Sequence, residues 1–197
     1  MEPLTVCQMT PDRLEDYLYF FEHVAHTDNP EWDRCYCLNY CGTNNLAQAQ
    51  EFQDPDVRRA YAVRYIQGGI LQGYLAYLDG KPVGWCNAND RNACMDCTGM
   101  KYLIAPEGEL QADGGKGKAV FCFTVAPGLR GQGIARALLE RVLRDAKEAG
   151  CSYVEAYPNK EQADQYYSYV GPMGLYQSLG FEIYCETKWR FVLRKML

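Results

Sequence analysis

Histidine is scarce in this chain of 197 residues, with two, at positions 23 and 26. Basic residues are in deficit, 20 against 25 acids, for a net charge of −5. Nucleic acid and anionic membrane surfaces both call for a basic face, so neither is an expected partner. No run approaches the ~18 consecutive apolar residues of a membrane span. The opening MEPLTVCQMTPDRLEDYLYF has no basic leader followed by an apolar stretch, so a secretory signal is not expected. Internal repeats and low-complexity segments are missing too. With 48% hydrophobic and 23% charged residues, the chain reads as one domain over 1–197.

Cysteine, by contrast, is plentiful, at ten. Without an export signal the expected location is cytoplasmic, where thiols stay reduced. Cys35–Cys37 and Cys94–Cys97 could together offer four thiolates to zinc, but neither pair has the flanks of a zinc knuckle. The expectation is therefore no metal, with most thiols packed in the core. Charge divides unevenly. Residues 1–100 hold 14 acids and 7 bases, whereas 101–197 hold 11 acids and 13 bases. Either this is ordinary surface variation, or the front half meets a cation and the back half an anion.

The pattern predicts a strand at 4–10 and a helix at 11–25 with Leu14, Tyr17, Phe20, Phe21 and Val24 on one face. A loop rich in aromatic, acidic and thiol groups follows over 26–45. Residues 46–69 read as helical on both sides of Asp54-Pro55. Two β-prone runs over 74–90 flank Asp79-Gly80, a hairpin signature. Residues 88–117 are Gly-rich at their end and weakly patterned, and read as an insertion with a mobile end. The apolar run 119–125 reads as a central strand, 131–149 as a strongly amphipathic helix ended by Gly150, and 152–158 as a further strand. A helical stretch leads to Gly180, and one or two strands close the chain. That order describes an α+β fold with a mixed sheet.

Chemistry concentrates where the central strand meets the amphipathic helix, in VFCFTVAPGLRGQGIARALLERV. Glycines at a helix start let unpaired amides face outward at the positive end of the dipole, which makes an anion cradle. Residues 130–147 carry five bases and two acids. The dinucleotide pattern fails for want of a third glycine, and the P-loop fails for want of Gly-Lys-Ser/Thr. Arg130-x-x-Gly133-x-Ala135, extended from Val125 through Ala135, resembles the signature of the GNAT family of N-acetyltransferases. Tyr176-Gln-Ser-Leu-Gly180-Phe181 is similar to a second hallmark of that family. The resemblance spans 119–190, and the front half follows it only in element order.

The resemblance implies a mostly antiparallel central sheet flanked by helices, with acetyl-CoA as co-substrate between two splayed strands, here 119–125 and 152–157. It implies that Phe123, Thr124 and Val125 pair with the cofactor arm and that the Val125 amide faces the thioester carbonyl. The amides of Gly131, Gln132, Gly133, Ile134 and Ala135 would hold the pyrophosphate, Arg130 would shape the loop, and Asn159 would bond the arm. Tyr176 would protonate the departing thiolate. Glu155, on the splayed strand, is the expected base, with Glu31 and Asp33 as alternatives. Cys122 and Cys151 lack a histidine nearby in sequence, which favours direct attack over a covalent intermediate. Both histidines read as packing or surface residues of the first helix.

The front half, 1–100, is the expected acceptor side. Glu31, Trp32, Asp33, Trp85 and Asn87 are its candidate residues, since aromatics beside carboxylates suit an organic amine. The expected reaction is acetylation of a primary amine on a small molecule by a monomer or homodimer. A protein or peptide amine, a non-catalytic acyl-CoA sensor and a zinc-stabilised binding module remain alternatives.

Overall fold

The computed structural model describes residues 3–42, 50–160 and 168–197. Seven strands form one sheet: β1 Thr5–Gln8, β2 Gly73–Leu78, β3 Lys81–Asp90, β4 Gly117–Val125, β5 Tyr153–Ala156, β6 Glu182–Glu186 and β7 Phe191–Met196. Their spatial order is β1-β2-β3-β4-β5-β7-β6. Every neighbouring pair is antiparallel except β4 and β5. The α+β reading and its mixed, mostly antiparallel sheet are borne out. The β2–β3 turn is Asp79-Gly80, both at positive φ, which matches the twist of a tight hairpin.

Helices cover both faces. Helix α1 (Leu14–His23) buries Tyr17, Leu18, Phe20 and Phe21, and α2 (Pro55–Gln67) buries Ala62, Tyr65 and Ile66. Asp54 caps α2 by accepting from the amides of Asp56 and Val57. The predicted helical stretch before residue 50 lies largely outside the described residues. These helices pack with Trp85, Phe121, Tyr157 and several thiols on one face of the sheet. Helix α3 (Ile134–Glu148) lays Ile134, Leu138, Leu139, Val142 and Ala146 on the other face, against Cys86, Val120, Phe123 and Val154. The short α4 (Met173–Ser178) adds Tyr176 there.

Residues 88–117 differ from expectation. They begin inside β3 and then fold into the core, where Cys94, Cys97, Met100, Ile104 and Leu110 are buried. A π-helical turn at Gly99–Ile104 carries two of these. Short turns of changing type have no fixed period, so their apolar residues left no readable pattern.

Two features of β4 set the site. Its ladder to β5 ends at Val120↔Ala156, yet β4 continues to Val125. On its other edge, Asn87 pairs with Cys122 and Ala88 with Val120, so Phe121 is an extra, bulged residue. A bulge bends its strand and shifts the alternation of side chains. β4 therefore leaves β5 immediately after their last pair, and a cleft opens between them.

The paired half of the same strands holds an ion cluster. Glu155 is fully buried and takes Arg91 Nε at 3.0 Å, Arg194 Nε at 2.6 Å and the Tyr157 hydroxyl at 2.6 Å. Arg194 also pairs with Asp113 at 2.8 Å and lies over the rings of Tyr153 and Tyr184. Removing the central carboxylate leaves the buried Arg91 guanidinium without its anion and takes one of two from Arg194. Glu155→Ala should therefore cost about 3–5 kcal/mol. Urea denaturation, compared with the parent chain, measures it.

Candidate active site

The cleft beyond Val120 widens into a cavity of about 380 Å³. Phe123, Thr124 and Val125 form its floor, and Arg130, Gly131, Gly133, Ile134 and Ala135 form one end. His26, Asn29 and Trp32 of the front loop, with Tyr169, Gly171, Pro172 and Leu175, close the opposite wall. The Ala126 amide donates to Val83 O on β3 at 2.9 Å. Consecutive amides of a strand point to opposite edges, so the Val125 amide points into the cleft. An N–H there, with no strand opposite it, is free to receive a carbonyl oxygen.

The glycine end is built by backbone geometry. Gly131 and Gly133 have φ of +76° and +85°, and a Cβ at either would meet nothing within 4 Å. Conformation, not crowding, requires glycine there. The Ala137 amide makes the first helical bond, to Gly133 O at 3.0 Å. The amides of Ile134, Ala135 and Arg136 precede it and have no partner within the helix. Anions are favoured at such a terminus. Arg130 shapes this loop. Its Nε donates to Val125 O at 3.3 Å, and its two Nη atoms hold Asp28 at 2.5 and 3.1 Å. The guanidinium in turn holds the Asp28 carboxyl below its ordinary pKa.

The front loop is strained and clamped. Arg34, Tyr36 and Cys37 all have positive φ, which is costly for residues with a Cβ. Arg58 donates to Asp33 O, Arg34 O and Phe52 O, and the Tyr17 hydroxyl donates to Tyr36 O at 2.5 Å. Asn87 Nδ2 donates to Cys37 O at 3.3 Å. These bonds hold the loop over the cavity.

Behind Trp32 lies a second pocket, of about 270 Å³, lined by Glu31, Trp32, Asp33, Cys35, Phe52 and Arg58 among others. Trp32 therefore stands between the two spaces. Asp33 is paired with Arg34, whereas the exposed Glu31 carboxylate has no ion-pair partner among the described residues.

Several expected residues come together here, and others do not. Gln132 does not line the cavity, and its Nε2 donates to Gly128 O at 3.2 Å, bracing the turn. Asn159 pairs with Arg190 beyond the end of β5 and is not part of the wall. Trp85 and Asn87 do not face an acceptor. Both are fully buried, Trp85 edge-on to Tyr17 and Asn87 holding the Cys37 backbone. Glu155 is not a base at this cavity, because its register opposite Ala119 puts it in the paired half, where two arginines and a tyrosine occupy its oxygens. Tyr176 is buried and its hydroxyl donates to Val170 O at 2.5 Å. Gly171, a wall residue, packs on it, and a Cβ on Gly171 would lie 2.9 Å from that hydroxyl.

His26, Asn29, Arg136, Tyr169, Gly171, Pro172 and Leu175 were not expected as wall residues. His26 sits beyond the end of α1, in the turn that leads to the strained loop, so helical periodicity misassigned it. Its Nε2 is 3.3 Å from Cys35 Sγ, and burial with the nearby Arg130 charge lowers its pKa to about 4. Among the described residues, no group of three or more His, Cys, Asp or Glu side chains gathers as a metal site.

A parting sheet, an inward amide at the parting and a glycine-built cradle beside it form the frame of an acyltransferase. The model of the acetyltransferase (GNAT) family matches residues 31–181, more than half of the chain, and the chain belongs to that family. No protein of curated description matches the sequence. Solved structures share the fold at low identity. The PaiA N-acetyltransferase of Thermoplasma acidophilum, in complex with coenzyme A, has a TM-score of 0.54 and 12% identity, with 100% of both chains covered. YncA of Salmonella typhimurium, with its cofactor acetyl-CoA, has a TM-score of 0.52 and 17% identity over 100% of this chain and 95% of its own. The polyamine N-acetyltransferase of Drosophila melanogaster, which forms N-acetylagmatine, has a TM-score of 0.54 and 13% identity over 99% and 100%.

The open space at Gly133 makes a clean test of the cradle. Gly133→Asp places a carboxylate where phosphate would lie, and strains the backbone by about 1–2 kcal/mol. The variant should fold and lose at least tenfold, ~1.4 kcal/mol, in coenzyme A affinity by calorimetry.

Proposed function

We propose that the protein transfers the acetyl group of acetyl-CoA to a primary amine of a small cationic molecule, by direct attack within a ternary complex. One observation carries this reading: the cavity joins an anion cradle to the inward Val125 amide, and Trp32 lines both it and a small pocket bearing Glu31, which has no ion-pair partner among the described residues. The pyrophosphate would lie on the amides of Gly131 to Ala135, and the cofactor arm would extend along Phe123–Val125 as an added strand edge. The thioester oxygen would then meet the Val125 amide, where an N–H is worth most as charge develops on that oxygen. Glu31 and the face of Trp32 suit an organic cation, and a pocket of about 270 Å³ suits a small one. The Drosophila relative acts on a polyamine-type substrate, which accords with this acceptor class. A reducing, cytoplasmic setting is part of the proposal for this chain of ten cysteines. No described helix is long and apolar enough to cross a membrane.

Tyr176 would protonate the leaving thiolate across the bare face of Gly171. Burial pushes its pKa well up, so the hydroxyl stays in its proton-donating form. Donation would require it to release or share the Val170 carbonyl.

Two measurements test the reading. Acetyl-CoA at 100 times its dissociation constant should stabilise the fold by ~2.7 kcal/mol, raising Tm by about 5–10 °C, and thiol release should appear with agmatine or tyramine as acceptor. Absence of both effects at millimolar cofactor excludes it. Tyr176→Phe should lower kcat ~10²-fold and leave coenzyme A affinity unchanged, because only the hydroxyl is removed. Stopped-flow turnover beside calorimetric binding separates the two quantities.

A further inference from the structure

An amine that attacks a thioester must give up a proton, and the cavity wall offers few places for it. Among the described residues, no Asp or Glu lines the cavity. Arg130 and Arg136 are cations with no lone pair to offer. The Tyr169 hydroxyl is engaged with that of Tyr40 at 3.0 Å. Among the described wall residues, His26 is the one whose neutral form carries a basic nitrogen.

The imidazole is held in place. It packs between the rings of Phe21 and Trp32, at 6.3 and 6.1 Å. Its Nε2 meets Cys35 Sγ at 3.3 Å, and Cys35 itself is fixed by the strained loop, its amide bonded to Trp32 O at 3.2 Å. Nδ1 has no hydrogen-bond partner among the described residues. His26 is half-buried and lines the cavity, so its ring edge is within reach of a molecule bound there. When Nε2–H donates to the sulfur, the free lone pair is on Nδ1.

We propose that His26 Nδ1 accepts the proton of the attacking amine, and that Cys35 is the positioning residue that fixes the imidazole in the required tautomer. This rests on the acetyl-transfer reading above. In the step, the amine nitrogen forms a bond to the acetyl carbon and the carbon–sulfur bond of acetyl-CoA breaks. The N–H proton passes to Nδ1, and the CoA thiolate takes its proton from Tyr176. The imidazolium then releases its proton to solvent and the Tyr176 phenolate takes one back from solvent, so both groups return to their starting forms.

The surroundings keep the dyad neutral. Burial and Arg130 lower the imidazole pKa to about 4 against the weaker opposing pull of Asp28 and Asp33, and burial pushes the Cys35 thiol up to about 12. His26 is then in its accepting form throughout the neutral range. A phosphate in the adjacent cradle would offset Arg130 and make the imidazole more basic, so the base strengthens as the cofactor binds. The thiol, held protonated, anchors Nε2 and is not a nucleophile.

The test uses His26→Ala, Cys35→Ser and Cys35→Ala in the full chain, with acetyl-CoA and agmatine or tyramine, whichever the parent protein turns over. His26→Ala should bind acetyl-CoA within threefold of the parent and lose ~10²-fold or more in kcat. Added imidazoles should restore turnover, more so as their basicity rises. Cys35→Ser, whose oxygen can still accept from Nε2, should retain most activity, whereas Cys35→Ala should lose about tenfold in kcat with the cofactor KM unchanged. The parent kcat/KM should show no limb between pH 6 and 7 from the enzyme. Should His26→Ala fail to fold, His26→Gln, which has no basic nitrogen, carries the same comparison. Turnover by either variant within threefold of the parent, or a loss that no imidazole rescues, overturns the assignment while leaving acetyl transfer intact. A parent protein that binds acetyl-CoA but acetylates neither amine overturns the transfer reading and this one with it.

Discussion

The parting of β4 from β5 is the constraint on which the site depends. Had the two strands stayed paired to Val125, that strand edge would be saturated with hydrogen bonds and nothing could bind there. The extra residue at Phe121 prevents this. It bends β4 at the point where its ladder with β5 stops, and it resets the side-chain alternation so that Phe123 packs toward α3 while Cys122 faces the thiol-rich side. The same bend carries the chain end of β4 to the glycine turn, so the inward amide and the anion cradle arise from one local distortion.

Charge and strain close the cavity around that distortion. The Asp28–Arg130 pair joins the front loop to the cradle across 102 positions of sequence. It is partly exposed, and such pairs contribute little to stability by themselves. Its weight is geometric, because it draws His26, Asn29 and Trp32 over the cavity. The left-handed residues of the neighbouring loop cost of order 1–3 kcal/mol each. Arg58, Tyr17 and Asn87 offset that by giving the loop's carbonyls fixed donors. The buried cluster around Glu155 has a different task. It ties β3, β5 and β7 together in the half of the sheet that stays paired, away from the chemistry.

Much of the glycine turn and the helix that follows it was legible in residue order. Glycines 131 and 133 between a buried strand and an amphipathic helix point directly to a cradle, since positive φ and outward amides are local properties. The hairpin turn and α3 were readable for the same reason. The acceptor side was not. Trp85 and Asn87 have the composition of a binding strand, but burial depends on what α1 and the front loop place on top of them. Glu155 occupied the right strand, yet register put it in the wrong half. His26 belongs to a turn whose path is set by Arg58, Tyr17 and Arg130, none of which is near it in sequence except through the fold.

The sequence by itself determined the class of fold, the strand–turn–helix that builds the anion cradle, and the front-loop carboxylates and tryptophan that border the second pocket. These follow from periodicity and from backbone geometry that glycine alone allows, both encoded within a few neighbouring residues. Tertiary structure decided which carboxylate is buried in an ion pair, which tyrosine packs on a glycine of the cavity wall, and which histidine enters that wall. Those outcomes depend on strand register, on a single bulged residue and on a loop held in strain by distant donors, and no local pattern records them.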